Sequence, residues 1–433
     1  MTQDESRGAG LHARAAALEL VRRALERRGG LDEALGGAGF GGLEPRDRAF
    51  ARQMASTTLR RLGGLDAILR PRLARPPPTR VLAVLRLGLA QVLHLDVPDH
   101  AAVSTSLQLV EQAKGGRAFK GLVNAVLRGI ARERPPEPPL EAYAPPWLYA
   151  RWRSAYGEAR AQAMAARLLQ EPPTDLSLRD PGGAAALAEA LPGVVTGGGT
   201  VRTARRGDLT AWPGFEAGAW WVQDAAAAVP TRLLGVQAGA RVLDLCAAPG
   251  GKALQLAALG AQVTAVDRSP RRLQRLAENL ARVGLPAEVV AADAATWEDA
   301  RLFDAVLLDA PCSATGAFRR NPDVLWAARP GDIGKLAAVQ AALLDSAARR
   351  LKPGGRLVYA VCSLEPEEGE AIVSAFLARA SGFRRAPIRP GEGGAPEAAA
   401  TPAGDLRLTP DLDPPGAEGG LDGFFVARLE RVA

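Results

Sequence analysis

From about residue 238 the chain alternates apolar runs with amphipathic stretches, and this alternation constrains the fold more than any other feature. The pattern predicts strands at 241–245, 262–267, 287–292, 303–309, 355–361 and 423–429, with helices between them. Phe303-Asp304-Ala305-Val306-Leu307-Leu308, for example, reads as a buried strand. Strand–helix alternation of this kind implies a doubly wound, mostly parallel sheet. In such a sheet the ligand crevice lies outside the carboxyl ends of the strands.

Reactive residue types fall at those ends. The run Asp309-Ala310-Pro311-Cys312-Ser313-Ala314-Thr315-Gly316 leaves one predicted strand, and Cys362 leaves another. These are two of only three cysteines in 433 residues. A single free cysteine usually packs as a small hydrophobe. Two at strand ends, one after Asp-Ala-Pro and one before Ser-Leu-Glu-Pro-Glu-Glu, point to nucleophilic chemistry, because the thiolate is the reactive form and its pKa is tunable.

The first strand, Arg241 to Leu245, runs into Cys246-Ala247-Ala248-Pro249-Gly250-Gly251-Lys252. Small residues there let a ligand approach the backbone. Asp267 ends the next strand, 23 residues after Asp244, where a carboxylate can grip ribose hydroxyls, and Asp293 ends the third. The turn is not Gly-x-Gly-x-x-Gly, which disfavours a nicotinamide dinucleotide. Lys252 is followed by Ala253, so it is not a phosphate loop either. Asp244 would repel a pyrophosphate but suits a cationic ligand with an amino-acid tail, the charge pattern of S-adenosylmethionine.

Residues 10–134 read as all-helical. One helical face carries Val81, Val84, Leu85, Gly88 and Val92, and another Leu122, Val123, Val126, Leu127 and Ile130. Thr79, after Pro76-Pro77-Pro78, is placed to cap a helix. Pro135-Pro136-Glu137-Pro138-Pro139 marks a boundary. Residues 140–232 read as a small α/β region, and 390–420 as a long loop.

Residues 1–135 hold 22 Lys and Arg against 13 Asp and Glu, a net of +9, while the remainder carries −2. A basic N-terminal third attracts a phosphate backbone. Three cysteines, an odd and small number, argue against a disulfide framework and for a reducing cytoplasm. No run is long enough to span a membrane, and no secretory signal is expected. All three histidines lie in the N-terminal third, so C-terminal chemistry would run without a histidine base or a metal.

Asp-Leu-Cys-Ala-Ala-Pro-Gly-Gly-Lys at 244–252, Asp-Ala-Pro-Cys-Ser-Ala-Thr-Gly at 309–316 and Val-Cys-Ser-Leu-Glu-Pro-Glu-Glu at 361–368 together resemble the RNA cytosine-C5 methyltransferases. Gln223-Asp224 and Asp422-Gly423-Phe424-Phe425 match as well. His100-Ala101-Ala102-Val103 and Lys120 to Arg128 resemble the NusB-like RNA-binding fold. The combination is similar to the members of that family that act on bacterial 16S rRNA. A tRNA cytosine-C5 methyltransferase, or a non-catalytic RNA-binding assembly factor, would be the alternatives.

The resemblance implies an all-α NusB-like domain at 1–138 and a small α/β linker subdomain at 139–232. A Rossmann-like class I methyltransferase domain would follow at 233–433, with a mostly parallel seven-stranded sheet. It implies S-adenosylmethionine as cofactor, 16S rRNA as partner, a cytoplasmic monomer, no metal and no membrane. It assigns Cys362 as the nucleophile that attacks C6 of cytosine and Cys312 as the group that resolves the adduct. Asp309 would bond the base edge, and Lys252 would orient Asp309 or tune a thiol. The cofactor would contact Cys246, Ala247, Ala248, Pro249, Gly250, Gly251, Lys252, Asp267 (ribose), Asp293 (adenine) and Asp309. Cys246 itself reads as structural. Arg319, Arg320 and Asn321 would reach RNA phosphates.

Overall fold

The computed structural model describes residues 3–26, 30–35 and 38–432. They form two compact units, one of residues 1–170 with 321–327, the other of residues 171–320 with 328–433. The helices Pro146–Tyr156 and Glu158–Leu168, beyond the proline-rich run, therefore belong to the first unit.

The first unit is helical. Thr79–His94 and Lys120–Glu133 bury the expected faces, with Val84, Leu85, Val123, Leu127 and Ile130 almost fully enclosed, and Asp99–Gln112 buries Ala102, Val103, Leu109 and Val110. Gly88 lets these helices pack tightly, because a Cβ there would lie 2.6 Å from Ser106 Oγ and 2.8 Å from Leu127 Cδ1. Thr79 is not the cap that the sequence predicts. It is the first helical residue, Pro78 occupies the cap position, and no side chain bonds the end. The locked φ of proline sets up the first turn without a hydroxyl acceptor.

The second unit contains two sheets. β1 (Thr174–Leu178), β2 (Gly193–Val195), β3 (Val201–Thr203) and β4 (Trp220–Val222) form an antiparallel sheet in the order β2-β3-β1-β4. Inside it Arg202 grips Asp175 with two bonds of 2.7 Å, both side chains buried. The same guanidinium donates to the carbonyls of Glu418 and Gly420. The 390–420 segment is thus not a free loop: it is anchored, and Ala395 and Ala399 are buried.

The large sheet comprises β5 (Arg241–Leu245), β6 (Gln262–Asp267), β7 (Glu288–Ala291), β8 (Phe303–Asp309), β9 (Leu351–Val361), β10 (Phe383–Arg385), β11 (Leu406–Leu408) and β12 (Phe424–Arg431). Its main path is β10-β12-β9-β8-β5-β6-β7, seven strands, with β11 added against β12. β5 to β9 pair parallel, and β12 runs antiparallel to β9. Successive side chains alternate between faces. Val242, Leu307 and Val358 enter one core, and Leu243, Leu308 and Tyr359 the other. Helices cover both faces, as parallel pairing requires. The helix Pro270–Val283 shows why: Ser269 caps it, Leu273, Leu276 and Leu280 face inward, and Gly284 at φ +71° ends it.

Candidate active site

The carboxyl ends of β5, β6 and β8 carry a set of carboxylates. β5 ends in a turn where Cys246 adopts φ +62° and Gly250 φ +112°, and the helix Gly251–Ala258 follows. A Cβ on Gly250 would meet Leu276 Cγ at 2.9 Å, so glycine is required on both counts. Asp267 is buried at the end of β6. Its Oδ2 accepts from Ala248 N at 3.2 Å and its Oδ1 from Ser269 N at 2.9 Å. Arg272 lies 3.5 Å from the same carboxylate and donates to the Ala248 carbonyl. Asp293 is exposed beyond β7.

Asp244 stands apart. It is fully buried, and among the described residues neither carboxylate oxygen has a hydrogen-bond partner. Burial, with the nearby charges of Asp309 and Asp267, pushes its pKa up to about 8 against the pull of Lys252. In the free protein Asp244 is thus largely a neutral acid, not the standing negative charge expected from sequence. A buried polar group without partners is costly. This orphaned carboxyl fits a site that receives a cationic, hydrogen-bond-donating group.

Lys252 opens the helix after the turn. Its Nζ donates to Asp309 Oδ2 at 2.7 Å and lies 5.3 Å from the Phe424 ring centre. Burial disfavours its charge, but Asp309, by its charge and its hydrogen bond, outweighs that and holds the ammonium above its ordinary range. The Lys252 side chain is nearly buried and that of Asp309 is 31% exposed.

Three sequence-distant segments meet beside it. β8 and β9 are neighbours, with Asp309 in register with Ala360, so the loops that follow them lie together. Cys312 Sγ and Cys362 Sγ are 3.5 Å apart. Gly316 N donates to the Cys362 carbonyl at 3.0 Å, and Gly423 N to the Gly316 carbonyl at 2.8 Å. Gly316 must be glycine, since a Cβ would fall 2.2 Å from the Gly423 carbonyl oxygen. The bond to Cys362, burial, and the charges of Cys362 and Glu368 drive the Cys312 thiol well above its ordinary range. Cys246 is separate: burial first, then Asp267, pushes it to about 12, and a thiol so held is inert.

Residues 231–430 match the 16S rRNA methyltransferase RsmB/F family, and residues 11–132 match the NusB family. The ribosomal RNA small subunit methyltransferase B of Xanthomonas campestris is 38% identical, with 100% of both chains covered. That of Pseudomonas syringae is 37% identical over 90% of this chain and 91% of its own. The chain belongs to the RsmB/F family. In fold it also resembles the crystal structure of PH0851, with a TM-score of 0.79 over 98% of each chain at 23% identity.

Family membership gives the remaining motifs a place. The sequence puts Arg319 at RNA phosphates, but the side chain is 1% exposed. Its Nη2 donates to Asp224 at 2.7 Å, its Nε lies 3.5 Å from Asp422, and it bonds the Gly419 carbonyl. It therefore ties the Gln-Asp motif before β5 to the Asp-Gly-Phe-Phe motif of β12. A guanidinium so buried is not presented at the surface where a phosphate would meet it. Gln340, Ser313, Ser363 and Glu368, which sequence reasoning does not single out, surround the cysteine loops. Only the Glu-Pro-Glu-Glu run after Cys362 hints at them.

Proposed function

We propose that this RsmB/F chain transfers a methyl group from S-adenosylmethionine to C5 of a cytosine in 16S rRNA, with Cys362 as nucleophile and Cys312 as the resolving group. The observation that carries the reading is the meeting of two thiols 3.5 Å apart beside the Lys252–Asp309 pair. The orphaned Asp244 carboxyl, the Ala247 to Gly251 turn and Asp267 would hold the cofactor's ammonium tail and ribose, and Asp293 its adenine. When bound, the cofactor supplies an electrophilic methyl on a sulfonium.

Cytosine C5 is a weak nucleophile. Addition of the Cys362 thiolate to C6 makes the base an enamine, and C5 can then take the methyl. Asp309, held by Lys252, faces the developing charge on the ring. The thiol pair carries one negative charge easily and two with difficulty. The groups around Cys312 disfavour its thiolate, which supports Cys362 as the attacking sulfur. With Cys362 bonded to carbon in the adduct, Cys312 is the sulfur left to act as base. Cys312 can then accept the C5 proton as the Cys362–C6 bond breaks and the thiolate leaves. The basic helical unit, with its NusB match, would grip the rRNA, and the target base must be unstacked to enter.

The direct test is transfer of labelled methyl to rRNA from cells lacking the gene, with 5-methylcytosine mapped with and without the protein. Absence of a new 5-methylcytosine in 16S rRNA would overturn the reading.

A further inference from the structure

Glu368 is completely buried, in the turn after Cys362. Its carboxylate is surrounded by donors from three segments. Oε1 accepts from Ser313 N at 2.9 Å and from Gln340 Nε2 at 3.0 Å. Oε2 accepts from Ser363 Oγ at 2.5 Å and from Ser313 Oγ. Ser313 directly follows Cys312 and Ser363 directly follows Cys362. Gln340 Nε2 also reaches the Pro311 carbonyl, just before Cys312, at 3.0 Å. The Glu368 carbonyl is itself pinned by the buried Tyr359 hydroxyl at 2.6 Å. Among the described residues these four bonds all come from neutral donors, which satisfy both carboxylate oxygens.

We infer that Glu368 is a positioning residue for the two-thiol site: it fixes both cysteine loops through Ser313 and Ser363 and sets a carboxyl group against the Cys312 loop that makes the two sulfurs unequal. The inference rests on the two-cysteine reading above and adds the element that makes the two sulfurs unequal. A negative charge near a thiol disfavours its thiolate. The Cys312 thiol is raised first by its bond to Cys362 and by burial, and Glu368 adds to that in the same direction.

The test is alkylation of the free full-length protein by iodoacetamide, with each cysteine followed by peptide mass spectrometry across pH. Glu368→Gln is suited to it. Its amide oxygen can keep the two N–H donors, and its NH2 can donate to the two serine hydroxyls, which rotate to accept. The expected result is a Cys312 profile shifted to lower pH, with about tenfold faster alkylation at a fixed pH below the midpoint, since one pH unit is a factor of ten. In turnover, kcat should fall while KM for RNA stays within about threefold. Ser313→Ala supplies the opposite sign and covers the case in which Glu368→Gln does not fold. Removing a hydroxyl donor leaves the carboxylate less neutralised, so Cys312 alkylation should slow. A Cys312 profile in either folded variant that overlays the wild type, or moves against its expected sign, overturns the inference. Alkylation needs neither RNA nor cofactor, so this result stands apart from whether the chain methylates rRNA.

Discussion

Asp244 and Glu368 are both fully buried carboxyl groups in the same α/β unit, and they differ in every other respect. Asp244, at the end of β5, has no partner for either oxygen and is driven toward the neutral form. Glu368, beyond β9, has four donors. On the proposed function the contrast separates two uses of a buried acid. One would be left incomplete for a ligand to complete, and the other is completed by the protein around the cysteine loops. On the same proposal the site has a receiving half at β5 and β6 and a bonded, rigid half at β8 and β9.

The sharpest break lies in the rigid half. Cys362→Ala should abolish methyl transfer while cofactor affinity, measured by calorimetry, stays within about twofold, because the two halves use different residues. Next, Glu368→Ala should cost about 3 kcal/mol of stability by leaving buried donors unpaired, read as a lower urea midpoint. Asp244→Asn should do the reverse in the free protein. It removes an uncompensated acid and leaves stability unchanged or raised, yet weakens cofactor binding roughly tenfold to hundredfold because a charged hydrogen bond, about 1.5–3 kcal/mol, is gone.

The same difference has a pH signature. The folded pKa of Asp244, about 8, lies above its ordinary value of 3.8, so the folded state binds the extra proton between them. Its contribution to stability is complete below the lower value and is lost as pH rises through the upper one. Thermal melts of the free protein from pH 6 to 8 should fall more steeply for wild type than for Asp244→Asn, by up to ~1.4 kcal/mol per pH unit. Equal slopes would remove the claim that the receiving half is incomplete.

The smallest effect belongs to the helical unit. Arg128 and Arg132 are exposed on one face of Lys120–Glu133. Replacing both with alanine should make RNA binding less sensitive to salt, lowering the slope by about one for each phosphate that an arginine had neutralised, without touching the chemistry at the thiols. Binding titrations at several salt concentrations read that slope directly.

How much of this is legible in the sequence follows the range of the interactions. β5, β6 and β8 fall where the apolar runs place them, at Arg241–Leu245, Gln262–Asp267 and Phe303–Asp309, because strand burial is written in neighbouring residues. The cysteines can be placed at strand ends for the same reason. The short β11, Leu406–Leu408, is hidden in a Gly- and Pro-rich stretch and forms only because β12 offers it an edge. Arg319 misleads because its partners, Asp224 and Asp422, are about a hundred residues away in either direction. Glu368 and Ser313 are 55 residues apart, and nothing local to either one announces the bond.

The claim that the two thiols have different roles is tested most directly by a denaturing gel of each cysteine variant after reaction with substrate RNA and S-adenosylmethionine. Cys312→Ala should accumulate a band of protein covalently joined to RNA, since Cys362 still attacks C6 and the group that helps release the product is gone. Cys362→Ala, and the variant lacking both thiols, should show no such band. Accumulation in Cys362→Ala but not in Cys312→Ala would reverse the roles and contradict the account.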